Sequence, residues 1–378
     1  MKGEVLITGG AGFIGSRVAI DLLSRGYPVT ILDNFSPQIH GGNTELPAGL
    51  RDDAKLLRGD VRDPEIWPKA LSSCETVVHL AAETGTGQSM YEVARYEQVN
   101  IAGTAHLYQA LISNSNAHVE RIVVASSRAI YGEGAYRCGA HGTVYPESRS
   151  NSDKLAGNFE PLCPVCCGKC ISVATSEEAP LKPSSFYGLT KQVQEQLTLM
   201  FGQAMGIASF ALRYQNVYGP GQSLNNPYTG ILAVFSTLAR AGKDINVFED
   251  GLESRDFVYI DDVVRATSAC VESSLIGTHV CNVGSNERTT VMQVASAVNK
   301  FFGCRSNVRV TGNFRMGDIR HGLADLSRAG MLLGFSPAWK FQDGLRKFLE
   351  WANEREPIGS TYDQSLQEMQ RHGLLHGR

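Results

Sequence analysis

The sequence predicts an α/β fold: a doubly wound parallel sheet with a smaller C-terminal lobe and a Cys-rich insertion. Three observations carry this. Short apolar runs (Val5–Ile7, Val29–Leu32, Lys55–Val61, Thr76–Ala82 and Arg121–Ala125) alternate with helical or polar segments. That is the pattern of βαβ units whose helices cover both faces of a sheet. The first run feeds straight into Gly9, Gly12 and Gly15, and Phe13, Ile14, Val18, Leu22 and Leu23 then recur at helical spacing until Gly26. From about Glu133 to Ala174 periodicity is lost while Gly, Ser and Cys accumulate, which predicts an appended loop module.

Taken in order, the first strand, Gly-rich turn and helix aim free N–H groups at a phosphate. Glycine is required there because a side chain would hold the backbone off a pyrophosphate. The second strand ends on Asp33, whose carboxylate suits the ribose hydroxyls of an adenine dinucleotide and repels a 2′-phosphate, favouring NAD over NADP. Asp60 ends the third strand, and two readings stay open: a contact to adenine, or the N-cap of a helix over Pro64–Leu71. Thr76–Ala82 ends in small residues that let a cofactor approach the backbone. A long helix over Met90–Ser113 precedes the strand that delivers Ser126 and Ser127 to the C-terminal sheet edge, where open α/β sheets bind ligands. After the insertion a helix runs from Pro183 to about Ala204, and Ser209–Leu212 is a further strand. The expected division is a dinucleotide domain over 1–215, with the insertion at 133–174, a smaller lobe over 216–353 and a charged, partly disordered tail over 354–378.

A chain of 378 residues with a net charge of −3 gives no sign of nucleic acid or an acidic membrane as partner. The first strand begins almost at once, leaving no room for a signal peptide, and no apolar run reaches membrane-span length. The expected compartment is the cytoplasm. Nine cysteines there point to thiols or metal ligands rather than disulfides.

Tyr187 and Lys191 are four apart in a helical segment and share a face. A neighbouring ammonium favours a phenolate, which would make Tyr187 a base near neutral pH, and Ser127 is suited to hydrogen-bonding the same substrate hydroxyl. With the Thr8-Gly9…Gly12…Gly15 turn, these residues resemble the extended short-chain dehydrogenase/reductases, in particular the NAD-dependent sugar-nucleotide epimerase/dehydratase family, over nearly the whole chain. The resemblance implies a Rossmann-type sheet with Ser127, Tyr187 and Lys191 catalytic. It also implies that Phe13, Ile14, Asp33, Asn34, Asp60, Val61, Leu80, Ala81, Ala82, Asn100 and Gln215 contact NAD beside the glycines. Leu212–Gly221 resembles the family's Arg-Tyr-Phe-Asn-x-Tyr-Gly-Pro segment, whose Asn, here Asn216, reaches the substrate diphosphate. Gln215 replaces the usual aromatic, and Thr84 stands where a Lys is common. Two more family segments match, implying Arg255 and Arg315 on phosphate and Asp318 on a ribose. Arg255 and Arg315 could instead be in surface ion pairs with Glu249, Glu253 or Asp261. Where family dehydratases and decarboxylases carry an acid after the catalytic Ser/Thr, this chain has Arg128 and Ala129. Oxidation and re-reduction at one carbon is the simplest fit.

Cys138-x-x-His141 and Cys163-x-x-Cys166 form two ligand pairs of the kind tetrahedral zinc takes. Cys167 departs from a zinc-knuckle glycine, Cys170 is an alternative ligand, and a loop of reduced cysteines is the other reading. The insertion and the run Gln222–Leu232 are similar to a bacterial branch of the family, which implies NAD-retaining 4-epimerisation of a dTDP-6-deoxyhexose, dTDP-L-rhamnose to dTDP-6-deoxy-L-talose, through a 4-keto sugar. A nucleotide-sugar dehydrogenase or 4-ketoreductase, a UDP-sugar 4-epimerase and a non-catalytic dinucleotide sensor are the competing readings. The family's habit of pairing through its two long helices implies a homodimer.

Overall fold

The computed structural model describes residues 2–114, 118–224, 226, 228, 230–355 and 362–377. Seven strands, all paired in parallel, form the central sheet: β1 (Glu4–Thr8), β2 (Val29–Asp33), β3 (Lys55–Arg58), β4 (Cys74–His79), β5 (Arg121–Ser127), β6 (Ala208–Tyr214) and β7 (Thr278–Val283). Their order is β7-β6-β5-β4-β1-β2-β3, so the winding reverses between β1 and β4 and opens a crevice at their C-terminal ends. Val5, Ile7, Val78, Val123 and Phe210 are fully buried on the sheet, and their β-branched and aromatic side chains suit strands covered on both faces.

The helices α1 (Phe13–Ser24), α2 (Gly103–Ser113) and α3 (Phe186–Met205) agree closely with the helical spacing. The helix expected from Met90 starts at Val93, and a π-helical segment, Gln98–Ala102, joins it to α2. Among the described residues, no helix is long and apolar enough to cross a membrane.

Three expectations change. The division at 215 does not follow the sheet, because Thr278–Val283 returns to pair with β6. The insertion is not a bare loop: Tyr136–Cys138, Gly142–Val144 and Cys170–Ser172 form a three-stranded antiparallel sheet, with a short helix, Asn151–Leu155, between the second and third strands. The described part of the tail is ordered: Tyr362–Arg371 is helical and Leu375–His376 pairs with Phe314–Arg315. Residues 356–361 and 378 lie outside the described residues, as do Asn225, Pro227 and Thr229 of the Gln222–Leu232 run.

Candidate active site

One cavity of about 960 Å³ runs along the crevice, and every expected cofactor and substrate residue except Asn100 lines it. At its floor Gly9 has φ +66°, and a Cβ there would lie 2.9 Å from the Ala81 nitrogen. A Cβ on Gly15 would stand 2.4 Å from the Gly9 oxygen, so only glycine lets β1, α1 and the end of β4 meet. No side chain caps α1, leaving its first N–H groups to the cavity. Asp33 is buried and accepts from the Ala11 N–H at 3.0 Å and the Phe35 N–H at 2.8 Å. This acid on the second strand, beside a phosphate-sized turn, fits NAD.

Asp60 caps no helix. Asp63 does so, accepting from the Glu65 N–H, while Asp60 pairs with Arg62 at 2.8 Å and accepts from Asn34 at 2.9 Å. The Arg62 guanidinium holds its carboxyl down at about 2. Asn100 sits behind the cavity wall. Fully buried, it accepts from the Glu83 N–H and donates to the Glu83 carbonyl and the Thr190 hydroxyl, tying the loop after β4 to α3. Its amide is taken by the Glu83 backbone and the Thr190 hydroxyl, which is why it does not line the cavity.

Ser127 ends β5, and its hydroxyl accepts from the Ala129 N–H at 3.2 Å. Ser185 caps α3 through the Gly188 N–H. A Cβ on Gly188 would meet the Ala129 oxygen at 2.5 Å, so α3 docks tightly on the turn after Ser127 and brings Tyr187 to the same cavity as Ser127. Tyr96 meets Tyr187 edge-on, ring centres 6.3 Å apart. Burial raises the Tyr187 pKa, opposed by the Ser127 hydroxyl and the Arg128 charge.

Lys191 is buried, its pKa pushed down to about 7, and it donates to Gln194 Oε1 at 2.6 Å. Arg128 also bears on the phenol, its charge opposing the rise that burial imposes on Tyr187. Gln194 continues the chain by donating to the Thr104 hydroxyl, which donates to the Asn100 carbonyl. His79 Nε2 must therefore donate to Thr104 at 3.0 Å, leaving Nδ1 to accept from the Thr8 hydroxyl at 2.8 Å. Burial holds His79 at about 3, so it stays neutral and ties the Gly-rich turn to the lysine.

At the cavity's far end Arg255 donates to the carbonyls of Ser254, Ile319 and Arg320, which fixes the loop bearing Asp318. Arg315 and Asp318 pair with each other at 2.8 Å. Of the alternative ion-pair acids, Glu249 is held by Arg149 and Arg320, and Asp261 by Arg17. Sequence reasoning missed Tyr362 and Met369, which line the cavity from the tail, and read Glu253 only as a surface ion-pair acid, whereas it lines the cavity too. Glu253 is 7% exposed, its Oε2 lacks a hydrogen-bond donor, and Arg320 stands 3.9 Å away. Burial raises it to about 7 from an ordinary 4.5. A raised acid binds its proton more tightly folded than unfolded, so its contribution to stability falls as pH rises from about 4.5 to about 7. Glu253→Gln should therefore gain on the native protein in thermal unfolding between pH 5 and 7.5. A difference constant with pH would refute this.

In the insertion, single atoms of Cys138, His141, Cys163 and Cys166 all lie within 4.8 Å of one another. Cys138 Sγ is 3.8 Å from Cys166 Sγ and 3.5 Å from His141 Nδ1, and Cys163 Sγ is 3.6 Å from that nitrogen. Tetrahedral zinc bonds imply edges of about 3.8 Å between sulfurs and about 3.6 Å between sulfur and nitrogen. Cys167 takes the positive φ of a knuckle glycine, +56°, and Cys170 points at the Pro161 carbonyl, outside the cluster.

The sequence matches the NAD dependent epimerase/dehydratase family over residues 5–159 and 165–301. It is 39% identical to the dTDP-L-rhamnose 4-epimerase of Burkholderia thailandensis, over 92% of this chain and 94% of that protein. Among solved structures it is similar to the UDP-glucose 4-epimerase of Thermotoga maritima with UDP-glucose, at TM-score 0.74 and 29% identity, over 93% of this chain and 99% of that one. The UDP-glucuronic acid 4-epimerase of Bacillus cereus, in complex with UDP-glucuronic acid and NAD, matches at TM-score 0.75 and 26% identity with the same coverage.

Proposed function

The chain belongs to the NAD-dependent epimerase/dehydratase family, and on that premise we propose a nucleotide-sugar 4-epimerase that retains its cofactor and interconverts dTDP-L-rhamnose and dTDP-6-deoxy-L-talose. The observation that carries the reading is one cavity lined by the Gly-rich turn and Asp33, by Ser127, Tyr187 and Lys191, and by Arg255, Arg315 and Asp318 together. The turn after Ser127 offers Arg128 and Ala129, neither of which can abstract a C5 proton. The similarity to the Burkholderia enzyme supports the deoxyhexose and thymine base. The UDP-sugars in the related structures make a UDP-sugar 4-epimerase the second reading.

Tyr187 takes the proton of the C4 hydroxyl while Ser127 holds that oxygen. Bound NAD supplies the hydride acceptor and donor. The cationic end of the cavity, where Arg255 orders the loop bearing Asp318 and Arg315 pairs with it, retains the anionic diphosphate while the 4-keto sugar turns to present its other face, and Tyr187 returns the proton. Incubation with dTDP-L-rhamnose should give its C4 epimer by NMR with no rise in NADH absorbance. A net change of cofactor oxidation state would move the assignment to a dehydrogenase or ketoreductase.

Asp33 should make NAD bind far better than NADP. Asp33→Ala should narrow that gap by removing charge repulsion. It should also weaken NAD itself, because the carboxylate holds the Ala11 and Phe35 N–H groups. Equal native affinity for both dinucleotides would contradict this.

The four-ligand cluster is assigned to a structural zinc. Metal analysis of protein prepared without chelator should find about one zinc per chain, and Cys163→Ser should lose it while keeping NAD. No zinc would sink the assignment. A cytoplasmic homodimer completes the reading. It rests on nine cysteines with no disulfide among them and on exposed Ile112, Leu189, Met200 and Met205 along the two long helices.

A further inference from the structure

We propose that Arg128 is a substrate-binding residue of this site, grasping the diphosphate of the nucleotide sugar and setting the amide of Asn216 toward it. The inference deepens the epimerase reading and rests on it for the identity of the ligand.

Arg128 follows Ser127 directly, in the 3-10 turn Arg128–Tyr131, so the strand end that places the catalytic hydroxyl places the guanidinium too. Its Nε donates to Asn216 Oδ1 at 2.7 Å. That bond decides the orientation of the amide: the oxygen is taken by Arg128, so the Nδ2 hydrogens are presented as donors to the cavity both residues line. The terminal nitrogens of Arg128 have no hydrogen-bond partner among the described residues, whereas Arg255 spends its terminal nitrogens on three carbonyls and Arg315 is paired with Asp318. Of the three guanidiniums lining this end of the cavity, Arg128 is thus the one whose planar fork is free to take a phosphate.

The charges demand an anion as well. Three guanidinium groups (Arg128, Arg255 and Arg315) line the cavity, and the carboxylates near them are committed or weakened: Asp318 is paired with Arg315, Asp256 accepts from the Ser285, Asn286 and Ala324 N–H groups, Glu249 is held by Arg149 and Arg320, and burial raises Glu253 to about 7. Burial with the Arg255 charge pushes Arg128 down to about 10. A diphosphate meets that excess. The same guanidinium acts on the chemistry, because its charge favours the phenolate of Tyr187. The other groups facing Tyr187 are Lys191 on its own helix, the Tyr96 ring and the Ser127 hydroxyl.

The test compares Arg128→Gln and Arg128→Lys in the full-length protein with its NAD, using dTDP and UDP as probes in calorimetry and kcat and KM against pH. Arg128→Gln should weaken dTDP or UDP about tenfold to a hundredfold. It should also raise KM and move the acid limb of the kcat profile to higher pH. Arg128→Lys keeps the charge and loses the Nε bond to Asn216, so its acid limb should stay near the native position while KM stays raised. NAD content should be native in both. Nucleoside diphosphate affinity and acid limb unchanged in Arg128→Gln would overturn the proposal, as would NAD lost in step with affinity, which would mark a structural role. Absence of epimerisation by the native protein would instead strike the functional reading, and the dTDP and UDP measurements would still decide the role of Arg128.

Discussion

Tyr187→Phe is expected to lower turnover by about a hundredfold to ten-thousandfold, the usual contribution of a positioned acid–base group. The variant should retain NAD, because the Gly-rich turn and Asp33 lie on other elements. The phenol shares the cavity with Ser127, and Phe keeps the ring that meets Tyr96 edge-on, so packing survives and the proton acceptor is lost. Single-turnover kinetics with bound cofactor quantified in the same sample checks both halves. Turnover within a few-fold of native would remove Tyr187 from the mechanism.

Arg320→Ala should cost about 3 kcal/mol of stability, the scale for breaking a buried ion pair from one side. The Arg320 side chain is wholly buried and donates to Glu249 at 2.9 Å and to Asp250 at 2.7 Å. Glu160 and Asp250 are solvent-exposed enough to tolerate the loss. Glu249 is not: it is 5% exposed and would be left to Arg149 alone. Arg149 also donates to the Asp318 carbonyl at 3.0 Å and pairs with Glu133 of the insertion, so the same network fixes the loop bearing Asp318 against the Cys-bearing module. Denaturant unfolding read beside Arg309→Ala, which breaks an exposed pair with Asp244, supplies the control expected to lose almost nothing. Equal losses in the two variants would contradict a buried network.

Features that depend on local chemistry were legible in the sequence. The glycine spacing of the turn, the acid ending the second strand and the Tyr187–Lys191 pair each follow from a few neighbouring residues, and the fold brings them to one cavity. What escaped depends on distant contacts. The pairing of Thr278–Val283 with β6 joins segments some seventy residues apart and has no local signature. The insertion's strands are three residues long, too short for an alternating pattern to register. The tail reads as charged because only Ser365 and Met369 of its helix are buried, four residues apart on one face. Arg128 was visible only as a missing acid, since nothing in the sequence shows that its Nε meets Asn216.

The account's central claim is a hydride that leaves and returns at one carbon of a nucleotide sugar without leaving the enzyme. The direct measurement is isotopic: dTDP-L-rhamnose carrying deuterium at C4, turned over in ordinary water, and unlabelled substrate turned over in deuterium oxide. The account predicts that the label stays at C4 in both epimers, that no solvent deuterium enters C3 or C5, and that no NADH is released. Stoichiometric NADH, washout of label from C4, or solvent deuterium at C5 would contradict it.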